Sequence, residues 1–337
     1  MELGVSEFGK YFLFQGRRYA KGERLFLNHS GASVLGKFAG RELVLRVFSD
    51  FELEGRNAYV RLTVDGKTRR VRLPKGEKTL VVRAEEGEHL FEVVKLTESA
   101  NNSFALLSSV ADGVFIPLEK KPAPKIEFIG DSITTGFGTL APLGNGEYKT
   151  KEQDVTKAFS YLTAKALGAD YNVIAAGGWP IYRSVYSDHS IPEIYENVDF
   201  FRNEEKWDFS AFSPDVVVIT LGTNDFSYLS EFSGEKREEE KEKVVACFAS
   251  FIKSVAARNE RARIFLLCGF FEKPELLPMT IEAQRRVGSP RVSVLETPSA
   301  ASLSDVRAGH PGRICHRIAT KKLVEAIEKS GALRFFS

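Results

Sequence analysis

Cysteine is scarce in this chain, with three in 337 residues. Cys247, Cys268 and Cys315 are odd in number and far apart. That set excludes a complete disulfide frame and shows no zinc-ligand spacing, so reduced thiols and a cytoplasmic location are expected. Excess charge is nearly absent as well. The 47 basic and 45 acidic residues leave +2, which gives no reason to expect nucleic acid or an anionic membrane surface as a partner. No apolar run approaches the roughly 20 residues of a membrane-spanning helix. The segment from Met1 to Lys10 lacks the basic and apolar regions of a secretion signal. What remains is a balanced globular composition, 43% hydrophobic and 27% charged, long enough for two domains of ordinary size.

Two periodicities divide the chain. Residues 1–118 read as all-β. Glu42 to Val47 is a strand candidate, and Ala58 to Val64 alternates before Asp65-Gly66 supplies a hairpin turn to Thr68 through Leu73. Thr79 to Arg83 and Leu90 to Leu96 read as two further strands, with Glu85, Glu86 and Gly87 in the turn between them and His89 at its edge. Many short strands between turn signals predict a jelly-roll-like β-sandwich. Residues 119–124 form a charged, then proline-rich linker.

From residue 125 to 337 the pattern becomes strand, helix, strand. The spacing predicts buried strands at Lys125–Ile129, Asp170–Ala176, Pro214–Leu221, Arg263–Cys268 and Val292–Thr297. Between and after them lie helical faces over Val155–Ala166, Val244–Val255, Glu275–Val287 and His316–Lys329. Such alternation implies a three-layer α/β domain with a mostly parallel sheet.

The stretch of the chain richest in chemistry is Ile126-Glu127-Phe128-Ile129-Gly130-Asp131-Ser132. A buried strand stops in a tight turn that carries a hydroxyl, at the strand end where open α/β sheets place their chemistry. Ser132 reads either as a nucleophile or as an ordinary Asp-Ser helix cap. A nucleophile needs an oxyanion hole and a base. Asn224, in Gly222-Thr223-Asn224-Asp225 after the third strand, offers a neutral amide donor, or else an Asx-turn. Ala176-Gly177-Gly178 after the second strand offers a backbone N–H, or simply a turn. Of five histidines, His29 and His89 fall in the β half, His189 in a polar loop and His316 at a helix start, leaving His310 as the base.

In order and placement these blocks resemble the SGNH (GDSL-type) hydrolases. The preceding β half, together with Gly87-Glu88-His89-Leu90-Phe91-Glu92-Val93 and Trp207-Asp208-Phe209 before Pro214-Asp215, looks like carbohydrate esterase family 2, the two-domain acetylesterases. The resemblance implies that Ser132 is the nucleophile and His310 the general acid and base. It also implies an oxyanion hole formed by the Ser132 and Gly177 N–H groups and the Asn224 amide, Gly178 being the alternative to Gly177. It calls for no metal and no organic cofactor. SGNH enzymes usually carry Asp three residues before the histidine, where this chain has Arg307, which cannot accept a hydrogen bond. Family 2 members can dispense with that Asp, so a Ser-His dyad oriented by a backbone carbonyl is expected, with Asp305 as the substitute orienter. Trp179, Tyr182 and Phe226, with Tyr186 and Tyr228, lie near the site blocks and read as sugar-stacking rings or as packing. The expected substrate is an acetylated xylo- or manno-oligosaccharide. A short-chain ester other than a sugar ester, or non-catalytic glycan binding, is the competing reading.

Overall fold

The computed structural model describes residues 1–200 and 202–333. The chain divides into two compact units, Met1–Pro122 with Lys149–Lys151, and Ala123–Tyr148 with Glu152–Ser337.

The first unit is an antiparallel β-sandwich of ten strands among the described residues. Its spine is the pairing of β1 (Ser33–Ser49) with β4 (Gly76–Lys95). Between them in sequence lie β2 (Tyr59–Val64) and β3 (Lys67–Arg72), and β5 (Ala105–Ala111) pairs with the far side of β1. Asp65 and Gly66 join β2 to β3 at φ 48° and 80°, the paired left-handed geometry that suits the twist of a two-residue hairpin. The core gathers alternate residues of these strands, among them Val34, Phe38, Leu43, Leu45, Val60, Leu62, Phe91 and Val93.

One expectation is corrected here. Thr79–Arg83 and Leu90–Leu96 are not separate strands, and Glu85 to Gly87 is not a turn. Thr79 through Lys95, His89 included, belongs to the single strand β4, which stops one residue short of Leu96. The reason is tertiary. β1 is itself continuous and pairs with β4 in two runs, from Ser33 opposite Val94 to Gly40 opposite Gly87 and from Glu42 opposite Arg83 to Ser49 opposite Gly76. A register shift between Gly40 and Glu42 sets the single residue Arg41 against Ala84, Glu85 and Glu86, an irregularity whose extra residues lie on β4. The Asp112 carboxylate accepts the Arg41 and Glu42 N–H groups at this irregularity. The polar stretch thus falls in the irregularity itself, and the regular pairing of β1 with β4 on either side of it carries the strand through.

The second unit holds five parallel strands. They are β6 (Lys125–Gly130), β7 (Asp170–Ala175), β8 (Val216–Thr220), β9 (Arg263–Phe270) and β10 (Val292–Ser299). Their spatial order is β7-β6-β8-β9-β10. Alternate strand residues Ile129, Ile174, Val217, Ile219, Ile264 and Leu266 join one core. That core also takes Val244, Phe248, Ile252 and Val255 of the long helix Gly234–Arg258 and Met279 and Ala283 of the helix Leu276–Val287. The apolar stretch Val155–Ala166 is not one helix. A single 3-10 turn, Val155–Lys157, precedes the helix Phe159–Ala166, with Ala158 extended between them. No helix among the described residues is long and apolar enough to cross a membrane.

The strand order places the site. β6 lies between β7 and β8, its successors on opposite sides. The loops leaving β6 and β7 therefore diverge from those leaving β8 onward, which opens a crevice at the carboxyl ends of the strands. Ser132 follows β6, Gly177 follows β7, and Asn224 follows β8.

Candidate active site

The turn after β6 is tight because Gly130 permits it. A Cβ there would stand 2.0 Å from Thr134 Oγ1 and 3.0 Å from the Thr220 carbonyl of β8. Asp131 Oδ1 then accepts the Ile133 N–H at 3.0 Å, closing the turn. Ser132 is left with its hydroxyl aimed at the imidazole of His310, Oγ to Nε2 2.9 Å, across 178 residues of sequence. The Ser132 N–H donates to no acceptor among the described residues.

His310 arrives on a small hairpin. Strands β11 (Val306–Arg307) and β12 (His310–Pro311) pair antiparallel, and Ala308 and Gly309 turn between them at φ 46° and 71°. The geometry returns the Ala308 carbonyl onto the ring of His310, 3.2 Å from Nδ1. A carbonyl can only accept, so Nδ1 carries the proton and Nε2 is free to take one from Ser132. Arg307 pins the hairpin by donating to the Ala141 carbonyl at 2.8 Å and to Asp305 at 3.2 Å.

Asp305 is not brought to His310. Its carboxylate accepts the Ile314 and Cys315 N–H groups at 2.6 and 3.0 Å. These lie in the first turn of the closing helix Arg313–Ser330, so Asp305 caps that helix from outside it. His316, inside the helix, accepts the Phe159 N–H at Nδ1 and packs on Phe159 and Phe270.

Asn224 joins the three strand-end loops. Its amide nitrogen donates to the Trp179 carbonyl at 3.1 Å and, over a longer 3.4 Å, to Asp131 Oδ2. It is not a local Asx-turn, since both partners come from other blocks. Its neighbour Asp225 is fully buried and accepts the N–H groups of Ile181, Tyr182 and Arg183. Burial pushes the Asp225 carboxyl up to about 6, while those N–H groups favour the anion. Asp225 therefore fixes the loop that follows Gly177 and Gly178. Its place directly after Asn224 was the available signal for that role.

The aromatic candidates separate. Trp179 is 9% exposed and packs on Phe200 and His189, so its carbonyl, not its ring, meets the site residues. Tyr182 is half-buried, perpendicular to Tyr228 at 6.1 Å, with the Arg183 guanidinium over both rings. Phe226 has Arg237 and Lys273 over its ring, and Tyr186 is 70% exposed. Two rings unforeseen from sequence border His310: Phe137 at 3.9 Å and Phe271, nearly perpendicular, at 5.8 Å.

Desolvation among these rings holds the His310 imidazole well below its usual range, at about 4, against a weaker upward pull from the Ala308 carbonyl. His316 is likewise held at about 4 by burial. An imidazole accepts the serine proton only when neutral. kcat/KM for an aryl acetate is therefore expected to stay level from neutral pH to about 5, then fall with a midpoint near 4. A midpoint near the ordinary 6.5 would show that the ring is solvated. The sign for stability follows from the same shifts. Between about 6.5 and 4 the unfolded chain binds protons that the two folded imidazoles do not, so the melting temperature should drop as pH falls through that window.

A hydroxyl bonded to a neutral imidazole, a free backbone N–H at the hydroxyl-bearing residue and an adjacent amide are the parts of an acyl-transfer site. Comparison with known proteins agrees in kind. Residues 14–117 match the carbohydrate esterase 2 N-terminal family, and residues 128–295 match the GDSL-like Lipase/Acylhydrolase family. An acetylxylan esterase / glucomannan deacetylase of Cellvibrio japonicus is 34% identical over 194 residues, 53% of this chain and 52% of that protein. The match thus spans about half the length of that relative. A solved acetyl xylan esterase from the rumen bacterium Butyrivibrio proteoclasticus superimposes with a TM-score of 0.89 at 22% identity, covering 98% of this chain and 100% of that one. A family two carbohydrate esterase from Clostridium thermocellum, solved in complex with cellohexaose, superimposes with a TM-score of 0.83 at 25% identity, covering 96% and 100%.

Proposed function

The chain is a GDSL-like hydrolase with a carbohydrate esterase 2 N-terminal domain, and on that premise we propose that it is a serine esterase removing O-acetyl groups from plant-derived oligosaccharides. The observation that carries the reading is the Ser132 Oγ to His310 Nε2 hydrogen bond at the strand-order reversal.

The reaction is two-step acyl transfer. His310 Nε2 takes the Ser132 proton as Oγ bonds to the acetyl carbonyl carbon. The tetrahedral oxyanion lies against the Ser132 N–H, a glycine N–H after β7 and the Asn224 amide, donors that need to stand about 3 Å away. The carbon–oxygen bond to the sugar breaks, and the sugar oxygen leaves with the proton held on His310. Water then enters, gives a proton to His310 and attacks the acetyl-enzyme. Collapse returns that proton to Ser132 and releases acetate. The Ala308 carbonyl keeps the imidazole in the productive tautomer throughout.

The relatives support sugar acetates as substrates: one is named as acting on xylan and glucomannan esters, and another was solved with a cello-oligosaccharide. The test is mass spectrometry of acetylated xylo- and manno-oligosaccharides incubated with wild type and Ser132→Ala. Stepwise loss of acetyl groups with wild type alone is expected. If an aryl acetate is cleaved while both glycans stay intact, the esterase stands and the sugar substrate does not.

A further inference from the structure

We propose that Phe137 is a positioning residue that acts through His310, its ring face stabilising the imidazolium formed when His310 takes the Ser132 proton. The inference rests on the esterase reading above and assigns to an aromatic face the charge stabilisation that a carboxylate gives in other Ser-His sites.

The need is visible in the structure. In a site with a carboxylate on Nδ1, the positive charge on the imidazole is compensated. Here, among the described residues, Nδ1 is hydrogen-bonded to the Ala308 carbonyl. Asp305, five residues before His310 in sequence, is committed to two N–H groups of the closing helix and to Arg307. Two guanidinium groups flank the hairpin. Arg307 and Arg313 donate to the Ala141 and Thr139 carbonyls, and the buried His316, held neutral by burial, supplies no counter-charge.

Phe137 supplies what is missing. Its ring centroid is 3.9 Å from that of His310, tilted by 43°. Tyr148 stacks on the same phenyl ring at 4.6 Å and 19°. Two rings at such distances cannot share one face, so Phe137 is clamped between them. Tyr148 is itself held by donating its hydroxyl to Gln153 at 2.9 Å. Phe137, Ala141 and Ala308 make a small apolar cluster separate from the main cores. A cation against a desolvated aromatic face is stabilised by the ring quadrupole.

The backbone is built for this contact. The Phe137 N–H donates to the Ser132 carbonyl at 3.0 Å, so the ring is placed by the nucleophile's own turn. Gly138, at φ 70°, lets that turn press on the hairpin: a Cβ there would stand 2.6 Å from the Arg307 carbonyl and 3.5 Å from His310 Cβ. The segment Gly136-Phe137-Gly138 is thus a feature of the nucleophile block that the sequence reading leaves unused.

The test incorporates mono-, di- and trifluorinated phenylalanine site-specifically at position 137. Each fluorine weakens the negative ring face with little change in shape. kcat for an aryl acetate should fall stepwise with fluorine count while KM holds, and Phe137→Leu should lose about 3- to 30-fold in kcat. Phe137→Trp, with the stronger face, should retain more activity than Phe137→Leu. In the same set, the His310 titration followed by NMR should move to lower pH with each fluorine. A level kcat and a level titration across the series would overturn the proposal, since a purely steric role is indifferent to fluorination. A titration that shifts in an enzyme with no Ser132-dependent turnover would keep the ring contact and sink the esterase reading instead.

Discussion

Ser132→Ala is expected to lose about 10⁴- to 10⁶-fold in aryl-acetate turnover with thermal unfolding nearly unchanged. Among the described residues the hydroxyl bonds only to His310 Nε2, so its removal costs one partly buried hydrogen bond, worth about 1 kcal/mol. It also removes the atom to which the acetyl group must transfer. His310→Ala should fall by a similar factor. Because the two act as one unit, the double variant should be no worse than either single one. Stopped-time release of the aryl leaving group, alongside calorimetric melting, measures both arms. Substantial turnover in either single variant would overturn the nucleophile and base assignments. Asp305→Asn sharpens the result. A helix cap is weakened, so stability should fall by about 1 kcal/mol while kcat stays within a few-fold. A loss in kcat comparable to that of His310→Ala would transfer the orienting role from the Ala308 carbonyl to Asp305.

Asn224→Ala carries the second largest expected effect, about 10²- to 10³-fold in kcat with KM little changed. The amide lies next to the nucleophile's turn, bonded at 3.4 Å to Asp131 Oδ2 and at 3.1 Å to the Trp179 carbonyl. The first of these bonds is long, which leaves an N–H that can turn to a developing oxyanion at small cost. Donation to an oxyanion in a desolvated crevice is stronger than donation to the neutral Trp179 carbonyl, and the long contact to Asp131 gives up little. The competing account is that Asn224 only ties the loop after β7 to the turn after β6. On that account Asn224→Ala would lower the melting temperature and leave kcat within a few-fold. Measuring both quantities on one preparation separates the two.

Local sequence was sufficient wherever the backbone answered to its own residues. Strands β6, β8 and β9 are short β-branched or aromatic runs, and they form close to where their periodicity ends. The turn after β6 needs Gly130, because only the absence of a Cβ lets Thr134 and Thr220 approach. The serine, glycine and asparagine blocks were legible for the same reason. Each follows a buried strand, and strand ends of an α/β sheet converge on one edge whatever lies between them. The sandwich half was legible as a class and not in its connections. Glu85 to Gly87 has turn chemistry, and it is the pairing of β1 with β4 on both sides of it that carries one strand through.

What tertiary structure alone decided is which side chains meet. His310 is 178 residues from Ser132, and the strand order and a two-residue hairpin bring them to 2.9 Å. Asp305 is five residues from His310 in sequence, yet its carboxylate turns to a helix N-terminus, because free N–H groups there bind an anion. Trp179 sits beside the glycine block and packs into the core, while Phe137, one aromatic among 26 phenylalanines, lies against the base. Periodicity reports the face on which a residue lies, and turn chemistry reports where a chain reverses. Neither reports the partner across the sheet, because that depends on strand order and register, which are settled by the whole core at once.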